Sequence, residues 1–278
     1  MDQSSLVVLR VAVYAVGMTE FEAFAVELSR LAAEVSLPFF RAAFEQVNKA
    51  DGGAFDPVTE ADRAAERALR ALINARYPDH GIIGEEYGSE REEAENVWIL
   101  DPIDGTRAFI SGLPLWTTLV SLRQGGTPVI GAIGQPYIGE IFLGGPSGAR
   151  LISKDGERPL NTRKGTALSQ ALSATTDPDI FQGEDREAWE RVKQSVRLAR
   201  YGCDAYAYAM VADGRLDLVV ESELKVWDWS ALMPVVTAAG GSFTSWNGNA
   251  PHADDGRVVA AGDAELAREV LAVLANKS

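Results

Sequence analysis

Residues 97–106 constrain this chain more than any other stretch. Val97-Trp98-Ile99-Leu100 is an apolar run that passes directly into Asp101-Pro102-Ile103-Asp104-Gly105-Thr106. The run predicts a strand, so the fold has to contain a sheet that delivers two carboxylates at a strand end. A strand that stops at Asp101 and turns at Pro102 brings Asp101 and Asp104 toward one cation. The main-chain carbonyl of Ile103, outside any ladder, is a further oxygen donor of the kind that Mg²⁺ favours. Gly105 allows close backbone approach, and the N–H groups of Gly105 and Thr106 are available to an anion. A plain turn and helix cap would explain each residue singly but not their order.

Other acids recur near the ends of predicted elements. Glu85 and Glu86 follow Ile82-Ile83-Gly84, and Asp228 sits between Trp227 and Trp229 at the start of a late helix. Asp228 reads either as an N-cap or as a carboxylate shielded by two aromatics, which strengthens binding to a metal. In Asp56-Pro-Val-Thr59-Glu-Ala-Asp62, capping accounts for Thr59 and Asp62 but leaves Asp56 unexplained. Glu90 to Glu95 reads as a solvated face.

Helical periodicity predicts helices over 19–44, 59–76, 184–196, 205–212, 229–239 and 264–275. Strands are predicted over 115–122, 129–136, 140–143 and 216–221, with a turn at Gln124-Gly125-Gly126. Helices and strands alternate without a strict βαβ rhythm, which implies a layered α/β or α+β architecture. The turn-rich stretch 144–150 marks a boundary. The expected organisation is a dispensable extension at 1–17, an N-terminal half at 18–150 with most of the metal ligands, and a C-terminal half at 151–278 with Asp228 and the specificity residues.

The 278 residues carry a net charge of −14 and no Lys/Arg cluster, which excludes a duplex-binding or membrane-surface role. An acidic protein can still hold an anionic substrate if bound cations supply the local positive charge. Cys203 is the sole cysteine, so no intrachain disulfide is available and a reducing cytoplasm is the expected setting. Leu6 to Val16 is too short to span a bilayer. A cysteine-nucleophile phosphatase needs Arg six residues after the Cys, where this chain has Ala209. A phospho-aspartate enzyme wants Asp-x-Asp, whereas Asp101 and Asp104 are three apart. His80 and His252 read as surface residues.

Together, Gly84-Glu85-Glu86, Trp98 to Thr106, Trp227-Asp228 and Asp56 to Asp62 resemble the inositol monophosphatase superfamily, in order and approximate spacing, from about residue 20 to the C-terminus. The resemblance implies an αβαβα sugar-phosphatase fold, a homodimer and two or three Mg²⁺ ions per site. It implies that Glu85, Asp101, the Ile103 carbonyl, Asp104 and Asp228 hold the metal. Thr106, supported by Asp56, would orient and deprotonate the attacking water, with Glu85 also in the catalytic set. Backbone amides of Gly105 and Thr106 would hold the phosphate.

The substrate side departs from the inositol type. Arg107 follows Asp-Gly-Thr and reads as a substrate contact or as a surface arginine. Asp204, after Gly202, stands where inositol enzymes have a small residue, and Glu221 falls on the family's substrate-contacting acid, beside Asp228. Ser111 to Trp116 and Leu224 to Leu232 are similar to histidinol-phosphatases of the superfamily. Two acids near the leaving group suit a cationic amino alcohol. The implied reaction is hydrolysis of histidinol phosphate. An inositol- or nucleotide-directed phosphatase and a non-catalytic relative are the alternatives.

Overall fold

The computed structural model describes residues 17–42, 60–251 and 256–276, together with the backbone of two short strands at 47–48 and 57–58. Asp56, Thr59, His252 and nearly all of the expected extension at 1–17 lie outside the described residues.

Helix α1 (Glu20–Ser36) opens on a capping box. Thr19 Oγ1 accepts the Glu22 N–H at 3.2 Å, and Glu22 Oε2 accepts the Thr19 N–H at 2.6 Å. The helix stops at Ser36, short of the expected Phe44, and Leu37–Phe39 close as one 3₁₀ turn. Pro38 is the reason, since it has no N–H to give the Glu34 carbonyl and so cannot continue the α ladder. Strands β1 (Val47–Asn48) and β2 (Pro57–Val58) pair antiparallel ahead of α2 (Glu60–Arg76).

The first sheet then forms in nearly unbroken chain order. Its strands are β3 (Gly81–Gly84), β4 (Gly88–Glu90), β5 (Asn96–Asp104), β6 (Thr117–Gln124), β7 (Thr127–Gln135), β8 (Glu140–Gly145), β9 (Gly148–Ser153) and β10 (Gly156–Pro159). The short helix α3 (Thr106–Ile110) connects β5 to β6. The spatial order is β10-β9-β8-β7-β6-β5-β3-β4, antiparallel except where β3 meets β5. Strand β5 does not end at Asp101 as expected. It continues to Asp104 through a bulge, the register jumping from Asp101↔Leu119 to Asp104↔Thr117.

The second sheet has the order β12-β11-β13-β15-β14. It is built from β11 (Leu172–Thr175), β12 (Leu198–Tyr201), β13 (Leu218–Glu221), β14 (Ser242–Ser245) and β15 (Val258–Ala261). Its helices are α4 (Glu184–Ser195), α5 (Tyr206–Ala212), α6 (Val226–Trp229), α7 (Leu232–Ala238) and α8 (Ala264–Ala275). The helix expected over 229–239 is thus split. Pro234 cannot donate to the Ser230 carbonyl four residues back, and Ser121 Oγ occupies that carbonyl at 3.0 Å instead.

Three buried clusters make the layers visible. Phe24, Leu28, Leu69 and Ile73 of α1 and α2 pack on Trp98, Leu100 and Val120 of the first sheet. The opposite face of that sheet, through Leu119, Ile133 and Phe142, meets Ala209 and Val235 of α5 and α7, which also cover Val219 and Ala260 of the second sheet. Trp189, Val192, Leu266 and Val270 of α4 and α8 close the far side. The result is the expected layered αβαβα arrangement. Residue 150 falls inside β9, and the chain passes between sheets only after Pro159.

Candidate active site

The bulge in β5 sets the geometry. Within it, Asp101 Oδ1 accepts the Ile103 N–H at 3.1 Å, and the Pro102 carbonyl accepts from Thr118 Oγ1 at 2.8 Å. The Ile103 carbonyl takes the Thr106 hydroxyl at 3.2 Å. Gly105 follows at φ +80, where a Cβ would come 3.0 Å from Asp204 Oδ2 and 3.3 Å from the Trp116 Cα. Only glycine meets both demands. The strand that is buried along its length thus emerges with Asp101, Asp104 and Thr106 on one edge.

Asp104 Oδ2 accepts the Ala205 N–H at 2.8 Å and the Thr117 hydroxyl at 3.2 Å, one donor from each half of the chain. Asp228 is the third residue of α6 and not its N-cap, and its Oδ2 accepts the Lys225 N–H at 2.6 Å. Each of Asp101, Asp104 and Asp228 therefore has one oxygen held by the chain's own donors. Among the described residues the other oxygen of each receives no hydrogen bond.

These acids feel one another. Burial is the main force raising all four, and repulsion adds to it: Asp101 is raised by the charges of Glu85, Asp104 and Asp228, and Glu85 by those of Asp228, Glu86 and Asp104. Glu85 is pushed up to about 8, Asp228 to about 7 and Asp104 to about 6, while Asp101 goes well above the usual carboxylate range. The Glu85 side chain reaches solvent, so screening trims its rise. Four carboxylates that cannot all ionise comfortably are the donor set a hard divalent cation relieves. Among the described residues, no three of them already close into a metal-holding cage. The fit lies in the untied oxygens and the Ile103 carbonyl rather than in finished coordination.

A second pair of acids flanks this group. Asp204 is half-buried in left-handed backbone at φ 43, and burial with the Asp104 charge pushes it up to about 7, against the lowering effect of Arg107. Glu221 ends β13 fully buried. Its Oε1 accepts the Thr176 N–H at 2.6 Å, its Oε2 has no hydrogen-bond partner among the described residues, and burial pushes it up to about 8. Arg107 is 79% exposed and pairs with Asp177 at 3.1 Å across the two halves, so it stands on the rim. Gly202 is exposed at φ +73 with open space around it, and its N–H goes to the Thr176 carbonyl at 2.8 Å. The structure thus brings together Glu85, Asp101, Asp104, Asp204, Glu221 and Asp228, with Arg107 and Gly202 outside the buried group.

Two residues join the site that sequence reasoning had assigned elsewhere or passed over. Asp62, read as a cap, is buried, and its charge helps to raise Asp101. The signal was present: Asp62, Glu66 and Arg70 recur at four-residue spacing beside the apolar stripe Ala61, Ala65, Leu69 and Ile73. Tyr208 is fully buried, its hydroxyl has no hydrogen-bond partner, and it feels Glu221, Asp104 and Asp228. Nothing in its local sequence distinguishes it from a core tyrosine. Size does not mark the site. A groove of about 1200 Å³ runs along α1, lined by Phe24, Leu31 and Ile141, and contains none of these clustered acids.

Comparison with known proteins agrees with this geometry. The family model described as "Inositol monophosphatase family" matches residues 18–278. The chain is 41% identical over 266 residues to the bifunctional phosphatase IMPL2, chloroplastic, of Arabidopsis thaliana, covering 91% of this chain and 75% of that protein. It is 35% identical over 202 residues to a histidinol-phosphatase of Mycobacterium tuberculosis, covering 70% of this chain and 77% of that one. Among solved structures, an inositol monophosphatase from Zymomonas mobilis superposes with a TM-score of 0.82 at 38% identity, covering 92% of this chain and 97% of the other.

Proposed function

The chain belongs to the inositol monophosphatase family, and from that premise we propose that it hydrolyses L-histidinol phosphate to L-histidinol and phosphate. The family makes it a phosphoric monoester hydrolase; the substrate and the residue roles are our reading. Glu85, Asp101, the Ile103 carbonyl, Asp104 and Asp228 would hold two or three Mg²⁺ ions. When bound, such ions lower the pKa of water and offset charge that develops on the phosphoryl oxygens and the leaving group.

The chain's own groups do the rest. Thr106 donates its hydroxyl to the Ile103 carbonyl, which leaves its oxygen lone pairs to accept a hydrogen bond from the attacking water and orient it, while the water's proton would pass on to a carboxylate. Asp56 is assigned to support it. The N–H groups of Gly105 and Thr106 hold the phosphate, and Arg107 guards the rim.

The observation that carries the substrate choice is the pair Asp204 and Glu221. Both are driven upward by burial, and the unpartnered Glu221 Oε2 calls for a donor. A protonated amino alcohol offers both acids a charged donor, whereas a neutral polyol offers hydroxyl donors with no charge to offset theirs. The similarity to a histidinol-phosphatase and to a bifunctional phosphatase is consistent with this choice. The 38% identity to an inositol monophosphatase favours inositol 1-phosphate as the second reading. We expect a homodimer in a reducing cytoplasm, with no nucleic-acid or membrane partner. No helix among the described residues is long and apolar enough to cross a membrane.

Phosphate release at millimolar Mg²⁺ from a panel of phosphomonoesters tests the proposal. The expected kcat/KM for histidinol phosphate exceeds that for inositol 1-phosphate by orders of magnitude. Equal rates or the reverse order would refute the substrate assignment, and no release from any ester would favour a non-catalytic relative.

A further inference from the structure

Glu85 sits in the three-residue turn between β3 and β4, a place where backbone N–H groups ordinarily face water. Here three successive ones are taken. The Glu85 N–H goes to the Leu100 carbonyl of β5 at 3.4 Å. The Glu86 N–H goes to Glu66 Oε2 at 2.8 Å and the Tyr87 N–H to Glu66 Oε1 at 3.2 Å. Glu66 belongs to α2 and is fully buried. Its carboxylate is completed by Arg70 Nε at 2.7 Å, one helical turn away. Arg70 then reaches the far side of the same hairpin, through Glu90 at 2.7 Å and the Gly88 carbonyl. Gly84 leaves room for this arrangement, because a Cβ there would stand 2.1 Å from Glu66 Oε1 and 2.9 Å from Arg70 Nη2.

A buried ion pair on a helix is weak evidence for stability as such. This one is aimed: among the described residues, every hydrogen bond it makes outside α2 is to the hairpin that carries Glu85. We propose that Glu66, backed by Arg70, is a positioning residue that fixes the Glu85 turn and thereby sets the affinity of the site for its divalent cation. The proposal rests on reading Glu85 as a metal ligand. It assigns to α2 a role in metal affinity that neither residue would have as a structural ion pair. Partners that orient a ligand are worth about ten-fold to a hundred-fold in metal affinity when removed.

Glu66→Gln keeps the volume and one acceptor oxygen but turns an amide N–H toward a backbone N–H, so one turn amide loses its partner. Gly84→Ala displaces the carboxylate while leaving both members of the pair in place. Calorimetric titration of the substrate-free protein with Mg²⁺ is expected to give a dissociation constant about ten-fold to a hundred-fold weaker in both variants. The thermal transition of the metal-free protein should fall as well, because a buried pair is disturbed, so the titrations are run far below it on protein whose folding circular dichroism has checked. In wild-type protein without metal, NMR-detected hydrogen exchange should find the Glu86 and Tyr87 amides protected even though the turn is exposed. Should Glu66→Gln fail to fold, the Gly84→Ala titration and the wild-type exchange decide alone. Wild-type Mg²⁺ affinity in the folded variants, or unprotected turn amides, would overturn the proposal. Glu85→Gln separates the two layers: if it leaves Mg²⁺ binding unchanged, the reading of Glu85 as a ligand fails, whatever Glu66 does.

Discussion

Asp204 combines three unusual conditions in one residue. Its backbone lies in the left-handed region, which aspartate tolerates better than most side chains. Its carboxylate lies against Gly105, and it shares its surroundings with Asp104 and Arg107. Strain of this kind persists where the surroundings over-determine it, most often at functional sites. Asp204→Asn keeps the shape and removes the charge. On the proposed reading, kcat/KM for histidinol phosphate should fall about ten-fold to a hundred-fold, the size of one charged contact to substrate. Turnover of inositol 1-phosphate should hold or rise, since a buried repulsive charge has gone. Steady-state kinetics with both esters check this, and a parallel loss with both would place Asp204 in the general machinery instead.

At the scale of elements, the joint between α6 and α7 shows how a helix break is made safe. Pro234 frees the Ser230 carbonyl, and Ser121 of β6, whose hydroxyl also lies 2.9 Å from the Ile130 carbonyl, covers it. Ser121→Ala should leave a buried carbonyl short of a donor, costing about 1–3 kcal/mol. Differential scanning calorimetry should register this as a fall in Tm of several degrees. The sequence made β5 legible because Val97 to Leu100 is apolar throughout, with β-branched Val97 and Ile99 around aromatic Trp98, and α8 because its apolar period is clean, so its predicted limits match. Strands β11 and β15 escaped notice because Leu172-Ser173-Ala174-Thr175 and Val258-Val259-Ala260-Ala261 are short and rich in small residues that carry no strand signature. Strands β9 and β10 were hidden because glycines at 144, 145, 148 and 156 read as turns, although Gly144, Gly145, Gly148 and Gly156 all lie within paired strands. The metal-side acids were readable from motif order. Asp62 was read as a cap although its spacing with Glu66 and Arg70 set it beside the buried stripe, and Tyr208 was not singled out because only the tertiary fold turns it toward the acids.

Across the whole molecule the net charge is −14, and among the described residues the acids clustered at the site are the ones whose pKa values rise. Glu85, Asp104, Asp204, Glu221 and Asp228 all have folded pKa values raised above those of the unfolded chain, to between about 6 and about 8. The folded state therefore binds their protons more tightly. Their contribution to stability is full below the unfolded carboxylate range and is lost as pH rises through 6 to 8. In chelator, Tm should fall between about pH 5.5 and about pH 8.5, and millimolar Mg²⁺ should restore most of the loss at the upper end. A Tm that rises across this window without metal would contradict the clustering. At lower pH the trend reverses through Glu22, Glu90, Asp213 and Asp263, whose values are lowered, so the metal-free protein should be most stable in mildly acid solution.

The hydrogen bond from the Ala205 N–H to Asp104 has a consequence for the order of synthesis. A nascent chain that has emerged only to Pro159 owns the whole first sheet and, with it, Glu85, Asp101 and Asp104. It lacks the donor that orients Asp104, and it lacks Asp228, Asp204 and Glu221, all of which arrive with the second sheet. On the proposed reading, an unfinished chain is a partial metal trap with no leaving-group pocket. Hydrolytic competence is withheld until the second sheet has formed and the halves dock.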